Sequence, residues 1–214
     1  MISVSEITEE LVKVSHRIEA KGFVVATDGN ISVRLPNGNI LATPTSMNKG
    51  FISAGDLVEV TIDGKQVNGK RKPSTEMKMH LFIYHHRSDV NAVVHCHPVY
   101  ATGFAAARVP LPENIFPEMV VGFGTVPLAQ YATPSTEEVG DSLLPFVGKY
   151  DAVLLANHGV VTYGSGLWDA YFKMEKVEQI AQMLFVAEAL GGAKHLSNEQ
   201  ILRLKELAKT VYSK

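Results

Sequence analysis

The chain has 214 residues, 46% of them apolar and 20% charged, with a formal net charge of -2 and one cysteine. This is ordinary globular usage and excludes a disordered chain. The near-neutral balance supplies no global positive field for gripping nucleic acid or an anionic membrane. Cys96 has no partner for an intrachain disulfide, which fits a reducing compartment. Met1 to Glu10 carries no basic stretch followed by an apolar run, and no apolar run approaches the roughly 20 residues of a spanning helix. A soluble, cytoplasmic protein with a single domain over residues 1–214 is the expectation.

The first predicted helix opens on a capping box, Ser3 with Glu6. It carries Ile7, Leu11, Val14 and Ile18 on one face and stops at Gly22. Gly29 to Ser32 and Thr43 to Ser46 read as polar turns. Strands are expected near Asn39 to Ala42 and Leu57 to Ile62, the latter folding back through Asp63-Gly64 to Gln66 and Val67. Pro73-Ser74 opens a second helix with Met77, Leu81 and Tyr84 at helical spacing and Glu76 in its first turn. Asn91 to His97 reads as a buried strand stopped by Pro98, and Val120 to Leu128 as another.

A helix is predicted over 135–147, a strongly apolar strand from Asp151 to Ala156, and its continuation from Val160 to Tyr163. The longest helix runs from Leu167 to Leu190 and ends at Gly191-Gly192. Ser197 with Gln200 caps the last helix, which carries Ile201, Leu204, Leu207 and Val211. Helices and strands interleave without a repeat or linker, so the class is α/β or α+β.

The histidines carry the chemistry. His95 and His97 lie two apart on a strand, so both imidazoles face one side while Cys96 faces the other, a common way to give one metal ion two nitrogen ligands. His158 ends a core strand beside Gly159. Two readings stand for it: a third ligand, or a core histidine bonded to a carbonyl. His16, His80, His85, His86 and His195 fall on helices or at their ends and read as surface or packing residues. Glu76 supplies a carboxylate. Three imidazoles and a carboxylate suit zinc, with cobalt, manganese and iron(II) as weaker candidates. The small, hydroxyl-bearing turns and the free N–H groups at Ser74-Thr75 form a candidate phosphate site.

Five ordered motifs, Gly29-Asn30-Ile31-Ser32-Val33-Arg34, Thr43-Pro44-Thr45-Ser46, Pro73-Ser74-Thr75-Glu76, Val94-His95-Cys96-His97 and Asn157-His158-Gly159, resemble those of the class II aldolase/adducin family. The similarity runs from the first helix to the last. It implies a central, mainly antiparallel sheet covered by helices on both faces, and a ring-shaped homotetramer with active sites at subunit boundaries. It also implies zinc ligands at His95, His97 and His158. Glu76 would bind the resting metal and then act as general acid/base. Gly29, Asn30, Thr45, Ser46, Ser74 and Thr75 would hold the substrate phosphate.

Two positions depart from the family's aldolase pattern. Ser46 stands where glycine is usual, which leaves the phosphate site intact if the backbone there needs no positive φ. Glu118, or Phe116 with the gap placed differently, stands where those aldolases carry a tyrosine that reaches in from a neighbouring subunit and protonates the aldehyde oxygen. A protonated Glu118 in a buried setting would serve. Tyr212 corresponds to the family's C-terminal tyrosine.

The implied reaction is reversible aldol cleavage of a ketose 1-phosphate, similar to L-fuculose 1-phosphate, to dihydroxyacetone phosphate and a small aldehyde. Pentose-phosphate 4-epimerase and sugar-acid phosphate decarboxylase chemistry stay open on the same scaffold. A non-catalytic binding module of the adducin kind is the alternative of a different class, disfavoured because such a module has no need for three histidines and Glu76 together.

Overall fold

The computed structural model describes residues 3–122 and 124–211, so Tyr212 lies outside the described residues. Among the described residues, eight strands form one sheet: β1 (Asn30–Arg34), β2 (Ile40–Ala42), β3 (Val58–Val60), β4 (Gln66–Asn68), β5 (Ala92–Cys96), β6 (Leu128–Ala129), β7 (Ala152–Leu155) and β8 (Gly159–Gly164). Their spatial order is β4-β3-β2-β1-β5-β8-β7-β6. Every neighbouring pair is antiparallel except β6 with β7. The mainly antiparallel sheet expected from the sequence is therefore observed.

Helices cover both faces. Alternation along the central strand β5 divides the core: Ala92, Val94 and Cys96 pack with α1 (Val4–Ala20), α3 (Val99–Ala106) and α6 (Leu167–Ala189). Val93 points the other way, into the core built with α2 (Met77–His86) and α5 (Glu138–Val147). The 3.6-residue spacing explains the first layer, since Ile7, Leu11, Val14 and Ile18 of α1 are all buried. Each such side chain contributes roughly 1.5–3 kcal/mol of burial. Ser3 and Glu6 make both bonds of the expected capping box, and α7 (Asn198–Val211) begins with the corresponding bonds between Ser197 and Gln200.

Four expectations are corrected. Val120 to Leu128 is not a strand: Pro117–Gly122 forms the short helix α4, and only Leu128–Ala129 pairs as β6. Pro117 is preset for a first helical position, and Gly124 at φ 75 closes the turn back onto the Met119 carbonyl. Asn30 to Ser32 is not a turn but the start of β1, with Ile31 and Val33 in the first core and the polar Asn30 and Ser32 alternating with them. The helix expected from Ser135 starts at Glu138, because Ser135 is left-handed at φ 68. The helix expected to open at Pro73-Ser74 begins at Met77, with Glu76 in the capping position. Helix α3, directly after Pro98, was not expected.

Candidate metal centre

Two segments deliver the three histidines. His95 is the fourth residue of β5 and fully buried, and His97 follows the strand's end. His158 sits in the tight turn between β7 and β8, where its N–H donates to the Leu155 carbonyl and Asn157 takes φ 57. Arg108 Nε and Nη2 donate to Asn157 Oδ1 at 3.0 and 2.6 Å, pinning that turn. The three rings gather with centroids 4.7 to 5.1 Å apart, and one nitrogen from each lies within 4.8 Å of the others. Gly159 makes the approach possible. A Cβ there would stand 2.5 Å from His97 Cδ2 and 2.6 Å from the Cys96 carbonyl.

The ring nitrogens are not equivalent. His95 Nδ1 lies 2.9 Å from the Val160 carbonyl, which accepts its proton and leaves the Nε2 lone pair aimed at the cluster. His97 Nε2 is 3.1 Å from His95 Nε2, and its other nitrogen is 3.7 Å from Asp28 Oδ2. Glu76 closes the fourth side: Oε1 is 3.1 Å from His158 Nε2, and Oε2 is 3.5 Å from His95 Nε2. Burial alone would raise the Glu76 carboxyl, but His95, His158 and the Asn30 amide outweigh it and hold it well below the usual carboxylate range. Burial also pushes the His95 imidazole down, keeping it neutral and able to donate its lone pair. Three imidazoles and an ionised carboxylate converging on one point fit a divalent metal of the zinc type.

The expected phosphate residues lie on adjoining segments. The Thr45 N–H donates to the Lys72 carbonyl at 3.0 Å and Pro44 bridges to Pro73, so the 43–46 loop and the 72–75 segment run side by side. Ser74 Oγ accepts from the Glu76 N–H at 3.2 Å, and Thr75 is exposed. Ser46 is exposed with φ 55, so this position does adopt the positive φ that glycine takes without strain. Asn30 is buried and its Nδ2 donates to Glu76 Oε2 at 2.7 Å. Gly29 lies at φ 70 with its backbone against Val24 and the His95 carbonyl.

Glu118 is not brought to the cluster within the chain. It is exposed on the first turn of α4 and lines a pocket with Lys176, Leu204 and Leu207, so the buried setting its proposed role requires is absent there. Phe116 is half-buried against the first core.

Two residues near the site escaped the sequence reading. His80, expected on the surface or in simple packing, is completely buried and hydrogen-bonded to Asn30 and Ser32. Its signal was spacing: Glu76, His80 and Tyr84 recur every four residues, on one face of a helix. Lys49 is 1% exposed and donates to the carbonyls of Thr27 and Met47, bracing the two loops that flank the site. The other four histidines are exposed, as expected.

Residues 9–185 match the family described as the class II aldolase and adducin N-terminal domain. The chain is 33% identical over 182 residues to a 3-oxo-tetronate 4-phosphate decarboxylase of Escherichia coli, covering 83% of this chain and 85% of that one. It is 33% identical over 180 residues to an L-fuculose phosphate aldolase of Methanococcus maripaludis, covering 84% and 96%. A solved L-fuculose 1-phosphate aldolase superposes with a TM-score of 0.88 at 32% identity, covering 98% of both chains. Fold, sequence and the family model coincide over most of the length, and this chain therefore belongs to the class II aldolase/adducin family.

Proposed function

We propose that the protein is a zinc-dependent enzyme that reversibly cleaves a ketose 1-phosphate to dihydroxyacetone phosphate and a small aldehyde. The observation that carries this reading is the placement of Glu76, with one carboxylate oxygen on His158 and the other within reach of His95 and Asn30. His95, His97 and His158 hold the metal, which supplies Lewis-acid stabilisation of negative charge developing on the substrate oxygens. Gly29, Asn30, Thr45, Ser46, Ser74 and Thr75 seat the phosphate with backbone N–H groups and hydroxyls, fixing the sugar's register. Cleavage breaks the bond between the carbon next to the ketone and the carbinol carbon beyond it. The electron pair stays on the dihydroxyacetone phosphate fragment, and Glu76 delivers the proton that carbon needs.

The departing aldehyde's hydroxyl must give up a proton in the same direction. Glu118 takes this role only across a subunit boundary, because in its own chain it is exposed on α4 away from the histidines. The homotetramer belongs to the same proposal. Exposed Val99, Phe185 and Leu190 give the α3–α6 side an apolar surface suited to contact with another copy. Among the described residues no helix is long and apolar enough to cross a membrane.

Two observations favour a second reading. In the alignment that sets Glu118 rather than Phe116 where the family's aldolases carry tyrosine, its carboxylate supports loss of carbon dioxide from a sugar-acid phosphate, as does the decarboxylase among the relatives. Product analysis decides. Incubated with L-fuculose 1-phosphate, the zinc-loaded protein is expected to release dihydroxyacetone phosphate and to stop when a chelator is added. Carbon dioxide from a 3-oxo-acid phosphate, or an epimer from a pentose phosphate, without aldol cleavage, would overturn the first reading.

A further inference from the structure

A buried chain of side chains runs from Glu76 into the second core. Glu76 Oε2, Asn30, His80, Ser32 and Tyr84 are linked by successive contacts of 2.7, 2.5, 2.7 and 2.9 Å. Asn30, His80, Ser32 and Tyr84 are at most 3% exposed, so no bulk water competes for these bonds.

The donors can be assigned from the end that has no choice. An ionised carboxylate only accepts, so the Asn30 amide nitrogen donates to Glu76. That orientation turns Asn30 Oδ1 towards His80, and a carbonyl oxygen also only accepts, so His80 Nε2 carries its proton. Burial lowers the His80 pKa to about 4, so at neutral pH the ring is uncharged and Nδ1 is a bare lone pair. Ser32 Oγ therefore donates to Nδ1, and its oxygen accepts from Tyr84, whose phenol burial keeps protonated. Every proton in the chain points towards Glu76.

Such an arrangement is poorly explained by packing alone. Asn30 and Ser32 occupy strand positions where apolar residues would pack against α2, and buried polar groups are tolerated only when each is satisfied. Here each is satisfied by the next, and the sequence ends on the carboxylate oxygen remote from His158. We propose that His80 is a positioning residue: it fixes the Asn30 amide, which in turn holds Glu76 in the one rotamer that turns Oε1 to the histidine cluster. This rests on the reading of Glu76 as the acid/base group.

Two measurements test it. In the metal-free protein labelled with nitrogen-15 histidine, His80 is expected to show the neutral tautomer protonated at Nε2; an Nδ1-protonated ring or an imidazolium at pH 7 overturns the assignment. In the zinc-loaded protein, His80→Phe is expected to lower kcat roughly 10- to 100-fold with bound zinc and KM little changed, as for other residues that orient a site group. His80→Gln, which keeps an amide N–H for Asn30, is expected to recover most of the loss. Wild-type kcat in His80→Phe, or no recovery in His80→Gln, overturns it. If the wild type acts on no sugar phosphate, the proposed function fails while the tautomer measurement still decides the chain.

Discussion

Asn30 and His95 stand directly opposite each other in the antiparallel ladder between β1 and β5. One rung of the sheet thus carries both the amide that holds Glu76 and the imidazole at the centre of the cluster, and strand pairing fixes their separation. Two substitutions separate the roles. His95→Ala removes the most buried donor and is expected to lose both bound zinc and activity. Glu76→Gln keeps the shape and the three imidazoles, so zinc should stay largely bound while the rate falls roughly 10²- to 10⁴-fold. Metal analysis beside turnover checks both. Stoichiometric zinc in His95→Ala, or full activity in Glu76→Gln, would contradict the assignments.

What was legible in the sequence follows from periodicity. The faces of α1 and α6, the hairpin at Asp63-Gly64 and the shared side of His95 and His97 are local consequences of 3.6 and 2.0 spacing. Less visible were elements whose residues serve the interior as polar groups. Asn30 and Ser32 look like turn residues in isolation, and only their partner His80, 48 positions from Ser32, shows why a strand buries them. Val120 and Val121 look like strand residues; Pro117 and the closing turn at Gly124 made them helical. Glu118 is a different case, since the role proposed for it needs a second copy of the chain, which one chain's pattern does not display.

Gly159 is the point where the site tolerates no added atom. Its hypothetical Cβ would press on both the His97 ring and the Cys96 carbonyl, and the carbonyl is held in the β5–β8 ladder. Gly159→Ala is expected to cost about 1–3 kcal/mol in stability, as other overpacked interiors do. It should also weaken zinc binding by displacing His97. Denaturant unfolding and a metal competition titration would show both effects. Unchanged metal affinity would mean that His97 is not held through this contact.

Ser46 makes the opposite prediction. It is exposed at φ 55, a conformation that is strained for any side chain beyond glycine. Its hydroxyl lies 3.4 Å from Thr45 Oγ1, a long contact. Ser46→Gly should relieve the strain and stabilise the protein by about 0.5–1 kcal/mol after the added freedom of the unfolded chain is subtracted. KM for the sugar phosphate should stay essentially unchanged, because glycine presents the same backbone N–H. A large rise in KM would assign the serine hydroxyl itself to the phosphate.

Lys49 carries a charge into the interior, and stability should record it. Among the described residues no carboxylate lies within 4 Å of its ammonium, which is held by the Thr27 and Met47 carbonyls. Burial lowers its pKa from the ordinary 10.5 to about 8. Between those values the unfolded chain keeps a proton that the folded chain has released. Stability therefore rises with pH through this window, and the cost of the buried charge is full below pH 8. The slope from this one group can reach about 1.4 kcal/mol per pH unit. Urea unfolding of the metal-free wild type and Lys49→Met at several pH values from 7.5 to 10.5 isolates it, since other groups titrate alike in both. The wild type should gain stability relative to the variant as pH rises; parallel curves would show that Lys49 keeps its ordinary pKa in the fold.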